Sequence, residues 1–244
     1  MSPPVFLAEP ERLAVDRVVL DGPEGRHAAT VRRLRVGERV DLTDGAGLLA
    51  ECVVAVVAGR DVLELDVLTR RRSPAPDPRI VVVQALPKGD RGELAVETMT
   101  EVGVDEIVPW AASRCVTQWR PDRRDKALGK WRGAAREAAK QARRAWLPEV
   151  TELATTGEVA SRIATAARAV ILHEEAQEPL SGLVLPEKGD IVVIVGPEGG
   201  IAEEEIQRFA AAGAVPALLG PTVLRTSTAG VAAAAVLLAA TGRW

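Results

Sequence analysis

Two glycine-bearing turns near the C-terminus hold the residues best suited to chemistry. The first is Gly196-Pro197-Glu198-Gly199-Gly200, where three glycines and a proline leave little side chain between the backbone and a ligand. The second runs from Leu219 and Gly220 through Leu224, Arg225, Thr226, Ser227, Thr228 and Ala229 to Gly230. Together they offer a carboxylate, Glu198, able to take a proton or accept hydrogen bonds, and a guanidinium, Arg225, able to stabilise negative charge. Other chemistries fit poorly. No Gly-Lys-Ser/Thr follows the first turn, as a P-loop requires, and the Gly-x-Gly-x-x-Gly spacing of a dinucleotide site is absent. Ser227 has no evident base in sequence. Cys52 and Cys115 are far apart and read as reduced core thiols, and with His27 and His173 the only histidines, no metal site is expected.

The flanking residues say how these turns are positioned. Residues 191–195 (IVVIV) form a continuous β-branched run, the pattern of a strand buried on both faces, and lead straight into the first turn. Ala202-Glu203-Glu204-Glu205 then suits the first turn of a helix. A second apolar run, 215–219, leads into the second turn and an alanine- and leucine-rich helix over 231–240. Two such turns would lie side by side at the C-terminal edge of a parallel sheet, where open α/β sheets bind ligands. Upstream, strands at 80–86, 106–110 and 169–172 alternate with helices at 93–101 and 122–144, which predicts α/β architecture. Residues 1–69 read differently. Strands at 17–20, 38–43, 48–58 and 62–68, with one helix over 24–34, suggest a small β-barrel. The proline-rich run that begins at Arg70 and ends at Pro78 reads as a linker, giving domains at 1–72 and 79–244 joined by 73–78.

A chain of 244 residues, 47% apolar and 27% charged, fits a globular protein. No secretory signal stands at its start and no apolar run reaches about 18 residues, so a cytoplasmic protein that does not engage a membrane is expected. Its net charge of -3 is unevenly spread. Residues 114–144 hold eleven Lys/Arg against three acids, with Trp119, Trp131 and Trp146 in or beside the stretch. Basic residues interleaved with aromatics are the footprint of an RNA or single-strand binder, and a solvated helix face is the alternative.

The first turn with Ile201 and Glu205, together with Leu219-Gly220-Pro221-Thr222-Val223-Leu224-Arg225-Thr226, closely resembles the RsmE family of 16S rRNA uridine N3-methyltransferases, of the SPOUT superfamily. Further similarity runs along nearly the whole chain: Glu101-Val102-Gly103-Val104 with Ile107 and Pro109; Glu137, Ala138, Gln141, Arg144, Pro148 and Glu149; and Leu172-His173. At the N-terminus, His27, Val31 and Arg33 with Gly37, Asp44 and Gly45 resemble a PUA-like domain. The resemblance implies a trefoil-knotted domain, an exception to the rule that chains do not thread loops. It also implies S-adenosylmethionine (AdoMet) as cofactor, 16S rRNA in the small ribosomal subunit as substrate, and a homodimer.

On this resemblance the cofactor would be held by Leu172, His173, Gly196, Pro197, Glu198, Gly199, Gly200, Leu219, Gly220, Leu224, Thr226, Thr228 and Ala229. Arg225 is the candidate for stabilising charge on the base or a phosphate, unless it pairs with an acid such as Glu198. Glu198 is a candidate base, unless it fixes its own loop. RNA contacts would come from Arg32, Arg33, Lys88, Arg91, Arg114, Arg136, Lys140 and Arg144. Three positions depart from the family pattern: Ser227 replaces a glutamate, Thr98 a lysine, and Pro4 an arginine. Two rival functions follow. One is a SPOUT enzyme with another RNA target such as a ribose 2′-hydroxyl, although the Asn-Val-Ser ending of such enzymes is missing. The other is a ribosome-binding protein without catalysis, which the loss of the glutamate at Ser227 would allow.

Overall fold

The computed structural model describes residues 2–244. Two compact units emerge: the chain up to Ala75 together with Ala139–Leu147, and Pro76–Ala138 together with Pro148–Trp244.

The first unit is built on a five-stranded sheet of β1 (Val5–Leu7), β2 (Arg17–Leu20), β3 (Arg39–Thr43), β4 (Leu48–Ala58) and β5 (Val62–Arg72). Their order is β1-β3-β4-β5-β2, with β1 parallel to β3 and the other pairs antiparallel. Period-two alternation sends Ala50, Cys52 and Val54 of β4 inward, onto a core that includes Phe6, Leu13, Leu42, Leu63 and Leu65. Strand β5 runs through Arg70, Arg71 and Arg72, which the sequence placed at the start of the linker. Arg71 pairs across the ladder with Glu51, and Arg70 Nε donates to Leu13 O at 2.8 Å. The helix expected at 24–34 comes in two pieces, α1 (Gly22–Arg26) and a π-helical turn (His27–Val31). Residues 139–147 join this unit through Lys140, whose buried Nζ lies 3.1 Å from Glu24 Oε1. Gly47 N also donates to Ala145 O at 2.9 Å, and Trp146 Nε1 to Ser73 O at 3.2 Å.

The second unit carries six strands: β6 (Arg79–Ala85), β7 (Glu106–Trp110), β8 (Glu149–Val150), β9 (Arg168–Leu172), β10 (Asp190–Val195) and β11 (Val215–Ala217). The order is β11-β9-β10-β6-β7-β8 and every pair is parallel. Ile80 to Val83 and Ile191 to Ile194 are wholly buried, as their unbroken apolar runs require. Five helices complete the unit: α2 (Arg91–Val102), α3 (Pro121–Gln141), α4 (Thr156–Thr165), α5 (Glu203–Ala211) and α6 (Thr226–Ala240). Helix α3 ends within the segment that belongs to the first unit.

Three elements of this unit differ from the sequence expectation in ways that bear on the site. Strand β11 is only three residues long, and its central Pro216 has no N–H to give a ladder. Helix α4 carries its own start signal in Thr155-x-x-Glu158: Glu158 N donates to Thr155 Oγ1 at 3.3 Å and Thr155 N to Glu158 Oε2 at 2.7 Å. Helix α6 begins at Thr226, five residues before the alanine-rich run. Gln84, buried in β6, donates from Nε2 to Thr226 O at 3.3 Å. A Cβ on Gly230 would meet Met99 Sδ at 2.7 Å, so glycine there lets α6 lie close against α2.

The tryptophans of the basic stretch serve packing. Trp131 is buried and meets half-buried Trp119 edge to face at 5.1 Å. A Cβ on Gly92 of α2 would lie 2.7 Å from the Trp131 ring. The ring is rigid and enclosed, so Gly92→Ala should destabilise the protein by about 1–3 kcal/mol despite alanine's better helix propensity. Thermal unfolding should show a Tm lower by several degrees; an unchanged or higher Tm would mean that the ring moves freely.

Candidate cofactor and RNA site

Strands β10, β9 and β11 are consecutive in the sheet and parallel, so their C-terminal ends open on one edge. Leu172 and His173 leave β9 there, Gly196 to Gly200 leave β10, and the segment from Leu218 to Arg225 leaves β11 and feeds α6. Sheet topology therefore brings together the three turns carrying the candidate cofactor residues.

Each turn is fixed by its own contacts. His173 N donates to Ala217 O at 3.1 Å, and its Nδ1 accepts from Glu175 N at 3.2 Å. In the β10 turn a Cβ on Gly196 would meet Ile201 Cγ1 at 2.7 Å, and one on Gly199 would meet Arg114 at 3.2 Å. Those glycines are thus required by the protein's own packing, and Gly200 by its φ of +74°. Around Gly220 there is open space. Arg114 Nη1 donates to Gly199 O at 3.3 Å, and the exposed Glu198 accepts from Lys88 N at 3.0 Å. Glu198 therefore ties the turn to the loop after β6, and its carboxylate makes no ion pair with Arg225 among the described residues.

Glu205, buried in the first turn of α5, is the brace behind this edge. Its carboxylate accepts from Ser113 N (3.0 Å), Ser113 Oγ (3.1 Å), Thr156 Oγ1 (2.9 Å) and Ala202 N (3.3 Å). The sequence pointed to Glu205 but gave no sign of its distant partners, Ser113 and Thr156, which lie 92 and 49 residues away.

The β11 turn has the donor set that a polar ligand needs. Among the described residues, the amides of Leu219, Gly220, Val223 and Leu224 donate to no protein acceptor. Helix α6 then starts without a side-chain cap, and Arg225 occupies its N-cap position. Its exposed guanidinium makes no hydrogen bond or ion pair among the described residues. A cation beside the positive end of a helix is locally unfavourable, and the two together favour a partner that carries or develops negative charge. Thr226 and Ser227 are buried at this helix start, while Thr228 is exposed with its Oγ1 turned back onto Arg225 O at 3.1 Å and Ala229 is half-buried.

The cysteines are not nucleophiles. Burial pushes the Cys52 thiol up to about 12 and raises Cys115 as well. No cluster of three or more His, Cys, Asp or Glu suited to a metal ion occurs among the described residues.

The candidate RNA residues divide between the units. Lys88 and Arg136 are exposed in the second, Arg91 is half-buried at the start of α2, and Arg114 supports the β10 turn. In the first, Arg32 and Arg33 are exposed and Arg144 is half-buried. Lys140 is different: its side chain is 3% exposed and its ammonium is engaged with Glu24, so it serves the core of that unit.

A model of the RNA methyltransferase domain matches residues 74–238, and a model of the RNA methyltransferase PUA domain matches 20–68. The ribosomal RNA small subunit methyltransferase E of Mycobacterium bovis is 47% identical over 230 residues, covering 93% of this chain and 87% of its own. The chain belongs to the ribosomal RNA small subunit methyltransferase E family. The Bacillus subtilis member is 28% identical, covering 86% of this chain and 85% of its own. Among solved structures, the Neisseria gonorrhoeae member of the family bound to S-adenosyl methionine superposes with a TM-score of 0.85 at 28% identity, covering 98% of both chains. A Legionella pneumophila methyltransferase in complex with the same molecule gives 0.87 at 27%, again over 98% of both. The second unit accordingly has the SPOUT-type α/β fold of the family, and the first is its PUA-type domain.

Two measurements probe this site. Glu205→Ala should strip four donors of their acceptor and cost about 2–4 kcal/mol in chemical denaturation; a loss below about 0.5 kcal/mol would show that the brace is dispensable. Both thiols should resist alkylation at neutral pH in the folded protein and react once it is unfolded, and rapid labelling of the native state would contradict their burial.

Proposed function

We propose that this chain transfers the methyl group of AdoMet to N3 of a uridine in 16S rRNA of the small ribosomal subunit, in the cytoplasm. What carries the reading is the β11 turn: a run of amides with no protein acceptor leads into an uncapped helix whose N-cap is an unpaired arginine, next to two other turns on the same sheet edge. The Mycobacterium relative's name supports small-subunit rRNA as the substrate, and the ligand of the Neisseria structure supports AdoMet as the cofactor.

The residues fit the cofactor. Amides of Leu219, Gly220 and Leu224 supply donors for the polar edge of an adenosine. Leu172, Pro197 and Leu219 supply apolar surface, and His173, Gly196, Glu198, Gly199, Gly200, Thr226, Thr228 and Ala229 complete the three turns. When bound, AdoMet supplies an electrophilic methyl group on a sulfonium. The three turns belong to a trefoil knot in this proposal, and the family's homodimer is its working assembly.

Uracil N3 must give up its proton, to solvent or to the exposed Glu198 carboxylate, before its lone pair can attack, which places negative charge on the ring and its carbonyl oxygens. Arg225, in the field of the α6 N-terminus, stabilises that charge and so lowers the cost of losing the proton. Glu198 already accepts from Lys88 N, and its first task is to hold the cofactor turn in place. Buried Ser227 stands where the family pattern has glutamate, so no carboxylate at that position takes part. Exposed Arg32, Arg33, Lys88, Arg114 and Arg136, with half-buried Arg91, contribute phosphate contacts that position the RNA, while the target base is presented out of its stack.

Labelled AdoMet and small subunits lacking the modification test this directly. The expected product is 3-methyluridine in the digested RNA. Arg225→Ala should lower kcat by roughly 10²-fold with little change in AdoMet affinity, and Arg225→Lys should recover part of the loss. A different methylated nucleoside would move the target, and full activity in Arg225→Ala would remove the arginine from the chemistry.

A further inference from the structure

Thirteen described residues hold the left-handed backbone conformation, and eleven of them are glycines. The other two are Arg33 (φ 54°) and Arg143 (φ 56°), both in the first unit. Each ends a helical segment. Arg144 N donates to Ala139 O at 2.9 Å and Arg143 N to Lys140 O at 3.2 Å, which closes α3 in a Schellman motif with Arg143 at the position glycine ordinarily takes. Leu34 N likewise donates to Ala28 O at 3.1 Å beyond the π-helical turn, with Arg33 at the bend. Arginine pays a backbone penalty there that glycine would not, which directs attention to what the side chains at these bends face.

Arg143 lines a cleft, and so does Arg32, the chain neighbour of Arg33 at the other bend. A cavity of about 40 Å³ is lined by Phe6, His27, Arg32, Lys140, Gln141 and Arg143, together with residues 3–5. It exceeds the roughly 10–15 Å³ that a single water needs. No carboxylate lines it. Glu24 is committed to Lys140 and to Leu7 N, and Asp41 lies within electrostatic reach of Arg143. Phe6 meets His27 edge to face at 5.6 Å, and Lys140 Nζ stands 5.8 Å from the Phe6 ring centre, so the floor is packed and rigid. The rim is then formed by two exposed guanidinium groups and the Gln141 amide.

We propose that this cleft is a docking site for a phosphate group of the RNA backbone, with Arg32 and Arg143 as its principal donors. Arginine's planar fork suits bidentate phosphate recognition, and a notch of this size admits one tetrahedral oxyanion. The proposal rests on the RNA-substrate reading above but requires neither N3 chemistry nor methyl transfer.

The full-length chain and a fluorescein-labelled RNA oligonucleotide provide the test. Arg143→Gly removes the side chain and the backbone penalty together, so it should unfold at the same or a higher temperature while binding RNA about five- to tenfold more weakly. The slope of log affinity against log salt should fall by about 0.7–0.9 for the lost contact. Arg32→Gln should act in the same direction, and Arg143→Lys should retain most of the slope. In parallel, inorganic phosphate should shift the Nε–H resonances of Arg32 and Arg143. Unchanged affinity and slope in both Arg143→Gly and Arg32→Gln would overturn the proposal. A phosphate shift alongside unchanged RNA binding would also overturn it, by making the cleft a site for free phosphate. Failure to form 3-methyluridine bears only on the catalytic reading, because this assay measures binding.

Discussion

All six strands of the larger sheet run in one direction, and the candidate site depends on that constraint. Parallel strands cannot be joined by tight hairpins, so each connection crosses the sheet and every strand delivers its C-terminal end to the same edge. Neighbouring β10, β9 and β11 then present three turns side by side, although a whole crossover of sequence separates each from the next. Burial on both faces uses up the chemistry of the strands themselves, leaving Val and Ile where side chains meet helices. Polar function is left to the turns.

Those turns are held from behind rather than by a ligand. Ile201 fills the space above Gly196, Arg114 packs on Gly199, and Glu205 gathers donors from the segment after β7 and the first residue of α4. The β11 turn is the exception, with open space at Gly220 and amides that have no protein partner. Rigid support on one side and unused donors on the other are what a preorganised binding edge requires, since little ordering remains to be done when a ligand arrives. Arg225 adds a charge at this edge that no ion pair neutralises among the described residues.

Much of this was legible from residue types. Continuous β-branched runs placed β6 and β10, and acidic residues placed the start of α5, because burial and the helix dipole leave direct marks on composition. Other features depend on long-range geometry and left none. Strand β8 has two residues, and α6 starts early because a buried glutamine and a close pass at Gly230 hold its first turn. The tryptophans of the basic stretch looked equally suited to stacking on bases, and only the positions of Gly92 and Ser73 show that Trp131 and Trp146 are used internally. Lys140 read as one more surface cation until Glu24 was found beside it, 116 residues away in the chain.

That last pairing has a consequence for synthesis. Proteins emerge N-terminus first and domains usually fold as they appear, yet the first unit draws one of its buried charges from Ala139–Leu147. When Ala75 leaves the ribosome, Glu24 has no lysine opposite it, and Gly47 and Ser73 lack the Trp146 segment that later covers them. The five-stranded sheet lacks those partners while the β6, α2, β7 and α3 portions of the other unit are made. Its completion is thereby timed to the end of α3, which couples the maturation of the first unit to growth of the second.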